Sequence, residues 1–150
     1  SSQVRNLVSA GEVSKAAELL GRWYSLSGPV IHGDARGRTI GFPTANVDFW
    51  PLKLLPANGV YACWASVGGV RYPAVINIGV RPTFENQPPA PRVEAHLIDA
   101  KIDLYGQELA LQFVERLRAE QRFPSVDALV AQIRSDVDQA REVLSHAAQT

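Results

Sequence analysis

The sequence predicts a mainly β fold, an antiparallel barrel or sandwich that is preceded by short helices and followed by a long one. From Trp23 to Val114, short apolar runs are separated by turn residues at close intervals, and no stretch of helical period lies between them. Gly68-Gly69 joins two of these runs, residues 61–67 and 70–76, and is typical of a two-residue hairpin. Strands spaced this closely favour an antiparallel barrel or sandwich.

Residues 1–20 are predicted to form two short helices. Ser2 is suited to cap the first, and Gly11 and Gly21 are suited to end the first and the second. Each helix has one apolar face, formed by Val4, Leu7 and Val8 in the first and by Val13, Ala16, Ala17 and Leu20 in the second.

Residues 77–92 differ from the β pattern around them. Prolines at positions 82, 88, 89 and 91, together with Asn86 and Gln87, predict a long exposed loop. Loops of this length are usually functional or disordered. A lid over the site is the preferred interpretation, and a plain surface loop is the alternative.

The last strand is predicted at residues 109–114, and a helix follows it. Ser125, directly after Pro124, is suited to the N-cap of this helix. The apolar residues follow three- and four-residue spacing, which predicts a structural helix with one stripe packed on the barrel. They are Val126, Leu129, Val130, Ile133, Val137, Ala140 and Leu144.

Composition indicates one ordinary globular domain. Of 150 residues, 46% are hydrophobic and 20% charged, and Lys+Arg and Asp+Glu balance at 15 each. The chain as a whole therefore has no electrostatic attraction to nucleic acid or to an anionic membrane. The single cysteine, Cys63, excludes an intrachain disulfide, and no apolar run reaches membrane-spanning length. These features predict a cytoplasmic protein.

The stretch from Gly33 to Asn46 contains the strongest functional signal. Its glycines allow the backbone to approach a ligand, and its two arginines suit phosphate oxygens. Thr44 and Asn46 lie two residues apart, so in an extended chain their oxygens point the same way and suit Mg²⁺. On residue types alone, a glycine-rich hairpin turn with no ligand remains an alternative.

Residues 33–46 resemble the signature of the riboflavin kinases, in particular the kinase module at the C-terminus of bacterial bifunctional riboflavin kinase/FAD synthetases. The most specific part is Pro-Thr-Ala-Asn at residues 43–46. Further matching motifs follow in the family's order at residues 59–62, 77–84, 93–97, 104–106 and 117–123. The resemblance covers nearly the whole chain and implies a six-stranded Greek-key barrel.

The resemblance also implies a domain organisation. Residues 1–20 would be linker helices at the tail of an N-terminal nucleotidyltransferase domain, and residues 21–150 the riboflavin kinase domain. The start at Ser1 and the lack of any Met predict that the chain is a fragment. The parent protein would carry a covalently linked FMN adenylyltransferase domain, and this chain alone would not make FAD.

The implied activity is a Mg²⁺-dependent transfer of the ATP γ-phosphate to the 5′-hydroxyl of riboflavin, giving FMN and ADP. Glu94 matches the catalytic position and would accept the hydroxyl proton. Residue type alone favours a solvated strand residue at position 94, and the family resemblance reverses that interpretation. His96 shares its face and is predicted to be a hydrogen-bonded structural histidine.

The resemblance assigns the remaining site residues by position. Residue type also allows other roles: Leu97 is compatible with core packing, and Tyr105 with an aromatic residue beside a turn. Residues 118–120 are compatible with an exposed charged loop. The implied nucleotide-binding residues are Gly33, Arg38, Thr44, Leu97, Asp99 and Tyr105; the flavin-binding residues are Asn46, Arg118, Gln121 and Phe123; the metal ligands are Thr44 and Asn46.

Two other function classes are open to a chain of this kind. A non-catalytic flavin- or nucleotide-binding barrel would keep the fold without the activity, but the presence of Thr44, Asn46 and Glu94 argues against it. A barrel that binds single-stranded nucleic acid needs a basic groove with stacking aromatic residues, and the neutral chain has no basic cluster.

Overall fold

The computed structural model describes residues 2–31, 41–49, 53–81 and 90–147. Within them the chain forms two short helices, a six-stranded barrel and a long helix. Their bounds are α1 Ser2–Ser9, α2 Val13–Leu20, β1 Tyr24–Ile31, β2 Ala45–Val47, β3 Gly59–Val67, β4 Val70–Arg81, β5 Ala90–Leu97, β6 Glu108–Arg118 and α3 Val126–His146. None of the helices in these ranges is long and apolar enough to span a membrane.

The six strands close into a barrel in the order β1-β2-β5-β4-β3-β6, and all neighbours pair antiparallel. The hairpin predicted at Gly68-Gly69 joins β3 and β4, with Val67 paired to Val70. Strands β3, β4 and β5 form a meander and β2 lies beside β5, which is a Greek-key arrangement. The predicted barrel and its flanking helices are confirmed.

The barrel interior is filled by residues that alternate along the strands, because successive side chains of a strand point to opposite faces. Tyr61, Cys63, Ile76 and Phe113 are fully buried there, and the Tyr61 and Phe113 rings meet edge to face at 5.3 Å. Helix α2 closes one side of this core through Val13. Burial raises the pKa of the Cys63 thiol well above its ordinary value.

A second apolar layer joins the outer wall of the barrel to α3. Val60 and Val75 on the barrel pack with Val137 and Leu144 on the helix. The predicted N-cap is present, since Ser125 Oγ accepts a hydrogen bond from the amide of Ala128 at 3.1 Å. The packing holds α3 against the strands that carry the site.

Two predicted boundaries are wrong. Strand β6 continues to Arg118 rather than ending at residue 114, because its pairing with β3 extends to Val60. The proline-rich region is shorter than residues 77–92, because β4 runs to Arg81 and β5 begins at Ala90. The lid predicted between them falls on residues 82–89, which lie outside the described residues.

Tyr61 makes the stability of the fold sensitive to alkaline pH. Its hydroxyl donates to the carbonyl of Ala57, and burial raises its pKa from 10.0 to about 12, although the nearby Arg116 opposes this shift. The unfolded chain loses the proton first, so the stabilisation is complete below pH 10 and declines between pH 10 and about 12. Urea unfolding should show that the free energy of unfolding falls less between pH 9 and pH 11 in Tyr61→Phe than in wild type. An equal loss in both proteins would contradict this assignment, and Tyr105→Phe, at an exposed tyrosine, is the control.

Candidate active site

A cavity of about 690 Å³ lies between the outer wall of the barrel, the first half of α3 and the connecting segment of residues 119–125. This volume is within the range of small-molecule sites. The lining residues are Phe42, Thr44, Val60, Val75, Asn77, Arg92, Glu94, His96, Arg118, Glu120, Gln121, Arg122, Phe123, Pro124, Ser125, Val126, Leu129, Ile133 and Asp136.

One row of paired residues crosses the barrel wall. It begins at Asn46, which is not part of the cavity lining, and its other four members line the cavity. Asn46 on β2 pairs with Glu94 on β5, which pairs with Asn77 on β4. Asn77 pairs with Val60 on β3, and Val60 pairs with Arg118 on β6. Directly opposed residues of antiparallel strands project on the same face. The row therefore has a polar end at Asn46 and Glu94, and its other end lies at Arg118.

Glu94 is the acceptor group at the polar end. The Thr44 hydroxyl donates to its Oε2 at 3.2 Å, and Arg92 Nη1 lies 3.3 Å from its Oε1. The carboxylate is held on both oxygens, while its side chain remains 19% exposed at the cavity wall. These two contacts therefore fix the orientation of the carboxylate at the wall of the cavity.

Asn46 and Thr44 supply oxygens beside this carboxylate. Asn46 is buried, and its Oδ1 has no hydrogen-bond partner among the described residues. A hydroxyl, an amide oxygen and a carboxylate at one place are hard oxygen donors that fit Mg²⁺, which needs only a few protein ligands. Groups of three or more His, Cys, Asp or Glu with metal-binding spacing do not occur in the described part of the chain.

His96 is hydrogen-bonded, as predicted. Its Nδ1 lies 2.8 Å from the carbonyl oxygen of Pro43, which places the proton on Nδ1. The ring also meets Phe42 edge to face, with centroids 5.6 Å apart. These contacts tie β5 to the segment that carries Thr44.

Arg118 lies at the other end of the row in a buried ion pair. Asp136 on α3, 2% exposed, accepts from Arg118 Nε at 2.9 Å and from Nη2 at 2.8 Å. Gln132 donates to the same carboxylate at 3.0 Å. Arg118 Nη1 donates to the Ala119 carbonyl at 3.2 Å, so most of its donors are engaged by the protein.

The segment after β6 folds back over this end of the cavity. The Phe123 ring lies 5.6 Å from the Arg118 guanidinium carbon, and Gln121 is part of the same wall. Glu120 reaches across to β4, where a Cβ added at Gly79 would lie 2.0 Å from its Oε1. A larger residue at position 79 would therefore displace the Glu120 carboxylate from this place.

Three predicted nucleotide-binding residues lie outside the cavity. Leu97 is buried in the barrel interior, and Tyr105 is an exposed turn residue. Asp99 accepts hydrogen bonds from Arg141 at 2.6 and 3.1 Å, and these bonds lower the pKa of its carboxyl below the ordinary value.

The turn at Tyr105 nevertheless lies beside the end of β1. The turn at Tyr105 is joined to the end of β1 by the hydrogen bond from the Gly106 amide to the Val30 carbonyl. β1 leads directly into the glycine-rich stretch. Gly33 and Arg38 themselves lie outside the described residues.

Sequence reasoning missed several residues of the cavity wall. Asn77, Arg92 and Asp136 line it, and so do Leu129 and Ile133 of the helix that was predicted to be only structural. Arg92 could have been predicted from the sequence as a site residue, because it lies on the same face of β5 as Glu94 and His96. Asp136 had no comparable signal, since its partner Arg118 lies 18 positions away in the sequence.

Fold and site together define a small-molecule enzyme. The cavity has hydrogen-bonding and acidic groups at one end and an aromatic wall with an arginine at the other, which suits an elongated ligand with a polar reacting end.

Comparisons with known proteins identify the family. A family model described as "Flavokinase: Riboflavin kinase" matches residues 20–144. A bifunctional riboflavin kinase/FMN adenylyltransferase from Bacillus subtilis (strain 168) is 42% identical over 147 residues, 97% of this chain and 46% of that protein. A protein of the same name from Escherichia coli (strain K12) is 43% identical over 145 residues, 95% of this chain and 45% of that protein.

Solved structures agree with the fold. Riboflavin kinase from Trypanosoma brucei superposes with a TM-score of 0.58 and 28% identity, covering 81% of this chain and 77% of that one. A Streptococcus pneumoniae crystal structure described as a macrolide-efflux protein gives a TM-score of 0.88 and 35% identity, covering 94% of this chain and 46% of that one.

The chain therefore belongs to the riboflavin kinase family, whose members phosphorylate riboflavin to FMN. The predicted family is confirmed. The chain spans a little under half the length of the two bifunctional relatives.

Proposed function

We propose that this chain transfers the γ-phosphate of ATP to the 5′-hydroxyl of riboflavin in a Mg²⁺-dependent reaction. The observation that carries the proposal is the row from Glu94 to Arg118, which lines one cavity, with Asn46 paired to Glu94 at its end. Riboflavin has a flat ring system at one end and a reacting primary alcohol at the other. The ring would lie by Phe123, Gln121 and Arg118, and the alcohol by Glu94.

Glu94 would act as the proton acceptor. Its carboxylate is oriented by Thr44 and Arg92, so an oxygen can receive the proton of the 5′-hydroxyl as the alcohol attacks the γ-phosphorus. The protein supplies little covalent chemistry in phosphoryl transfer; positioning and charge stabilisation account for most of the acceleration. The reaction gives FMN and ADP.

Thr44 and Asn46 would hold the metal ion. The buried, unpartnered Oδ1 of Asn46 supports this, because a cation would satisfy an acceptor that no donor of the described residues reaches. When bound, Mg²⁺ would neutralise phosphate charge beside the alcohol. Asn46 would also contact the flavin substrate from this position.

The ATP phosphates would lie against Gly33 and Arg38, with Thr44 also at this place. Adenine and ribose would contact Leu97, Asp99 and Tyr105, as the family pattern implies. The bond between the Gly106 amide and the Val30 carbonyl supports this arrangement, because it holds the Tyr105 turn beside the strand that leads to Gly33.

The larger protein would combine this domain with an adenylyltransferase. The curated relatives are bifunctional and about twice as long, and residues 1–20 would be the linker between the two domains. A cytoplasmic location is proposed as well, which the free and buried Cys63 supports.

A chromatographic assay tests the proposed function. With riboflavin, ATP and Mg²⁺, the chain is expected to form FMN and no FAD. Removal of divalent ions with EDTA should abolish product formation, and added Mg²⁺ should restore it. Riboflavin binding without FMN formation under any of these conditions would favour a non-catalytic binding module, and full turnover in EDTA would contradict the metal assignment.

A further inference from the structure

Asn77 lies in the middle of the site and has no part in the function proposed so far. It belongs to β4, lines the cavity and pairs directly with Glu94. Its Oδ1 is buried and has no hydrogen-bond partner among the described residues. A buried polar atom without a partner lowers stability, and such atoms often belong to a binding site.

The position of Asn77 along the row is specific. Adjacent members of the row are separated by about 5 Å. Asn77 is one step from Glu94, and Val60, which is apolar, separates it from Arg118. Asn77 is therefore the polar member of the row between the reacting end and the ring end of the cavity.

We infer that Asn77 is a positioning residue that hydrogen-bonds the hydroxyl groups of the ribityl chain, and this inference rests on the proposed function. A substrate with its ring at Phe123 and its terminal hydroxyl at Glu94 passes its polyol chain over Asn77. An amide both donates and accepts, which matches hydroxyl groups. Asn77 thereby favours a flavin with a polyol chain over the same ring without one.

Asn77→Leu is the informative substitution, because Leu is similar in size and removes the unpartnered amide. A structural role predicts that stability and substrate affinity fall together. The inference predicts unchanged or higher stability to urea with a riboflavin KM raised about tenfold, the effect expected for loss of one to two hydrogen bonds. The KM for ATP should stay within about twofold of wild type. Asn6→Leu, at an exposed asparagine of α1, is the matched control and should leave both KM values unchanged.

A second ligand, lumiflavin, distinguishes the contribution of the ribityl chain to binding from that of the flavin ring. Lumiflavin carries a methyl group in place of the ribityl chain, so its binding, followed by flavin fluorescence, should be the same in wild type and Asn77→Leu. Riboflavin binding should weaken about tenfold in the variant. Equal weakening of both ligands, or an unchanged riboflavin KM, overturns the inference.

The two proposals fail in distinguishable ways. If wild type makes no FMN, the proposed function fails. If wild type is active and Asn77→Leu folds with wild-type kinetics, only the role of Asn77 fails. If Asn77→Leu does not fold, Asn77→Ser gives the same test, because its short side chain cannot restore the amide contacts; a wild-type ratio of riboflavin to lumiflavin affinity would then overturn the inference.

Discussion

Glu94→Gln is expected to lower the turnover number by roughly 10²–10⁴-fold, the usual contribution of a general base. Gln keeps the size of the side chain and can still accept from Thr44, but it cannot take the proton of the attacking alcohol. Riboflavin binding should change little, because the ring end of the cavity is untouched. Steady-state kinetics with saturating ATP and Mg²⁺, combined with riboflavin fluorescence titration, measures both quantities.

The matched control is Glu115→Gln, which removes an exposed carboxylate from β6 away from the cavity. It should retain wild-type turnover. Glu94→Gln with turnover within about threefold of wild type would exclude Glu94 as the proton acceptor, because loss of a base costs far more than that. The family assignment would stand in that case, since it rests on the comparisons with known proteins.

Asp136→Ala should destabilise the domain by about 3 kcal/mol, as expected when one partner of a buried ion pair is removed. The Arg118 guanidinium would lose its partner on α3 while its side chain, 19% exposed, remained largely buried. Because Arg118 also binds the Ala119 carbonyl and lies against Phe123, the segment over the cavity should loosen as well. A higher KM for riboflavin should therefore accompany the lower urea midpoint.

Asp138→Ala provides the comparison, because Asp138 is an exposed carboxylate two positions along the same helix. Surface substitutions of this kind usually stay within about 0.5 kcal/mol of wild type. If the two alanine variants unfold at the same urea concentration, the ion pair contributes nothing net to the fold. A normal riboflavin KM in Asp136→Ala would show that Arg118 does not need Asp136 to shape the cavity.

The architecture could be predicted because its signals are local. Gly68-Gly69 specifies the hairpin between β3 and β4, and Ser125 caps α3, through contacts within a few residues of each position. The strand alternation also placed Glu94 and His96 together on one face, opposite buried Val93 and Ala95.

The ends of the strands and the remaining residues of the site could not be predicted from local sequence signals. β6 extends to Arg118 because it pairs with β3 as far as Val60. The charged residues at this end of β6 give no sign of that pairing in the sequence. A strand continues as long as a neighbour offers backbone partners, and local propensity is a weaker influence. The cavity needs α3 as a wall, and the apolar stripe of that helix does not indicate which of its residues meet a ligand.

The sequence by itself indicated an antiparallel barrel or sandwich, and its motifs identified the family, which implied the closed barrel and predicted Thr44, Asn46 and Glu94 as site residues. Turn chemistry, side-chain alternation and motif order are all properties of short stretches. Only the tertiary structure decided that Asn77 adjoins Glu94 and that Asp136 binds Arg118. These pairs depend on strand register and on the seating of a helix, and both are set by packing between residues far apart in the chain.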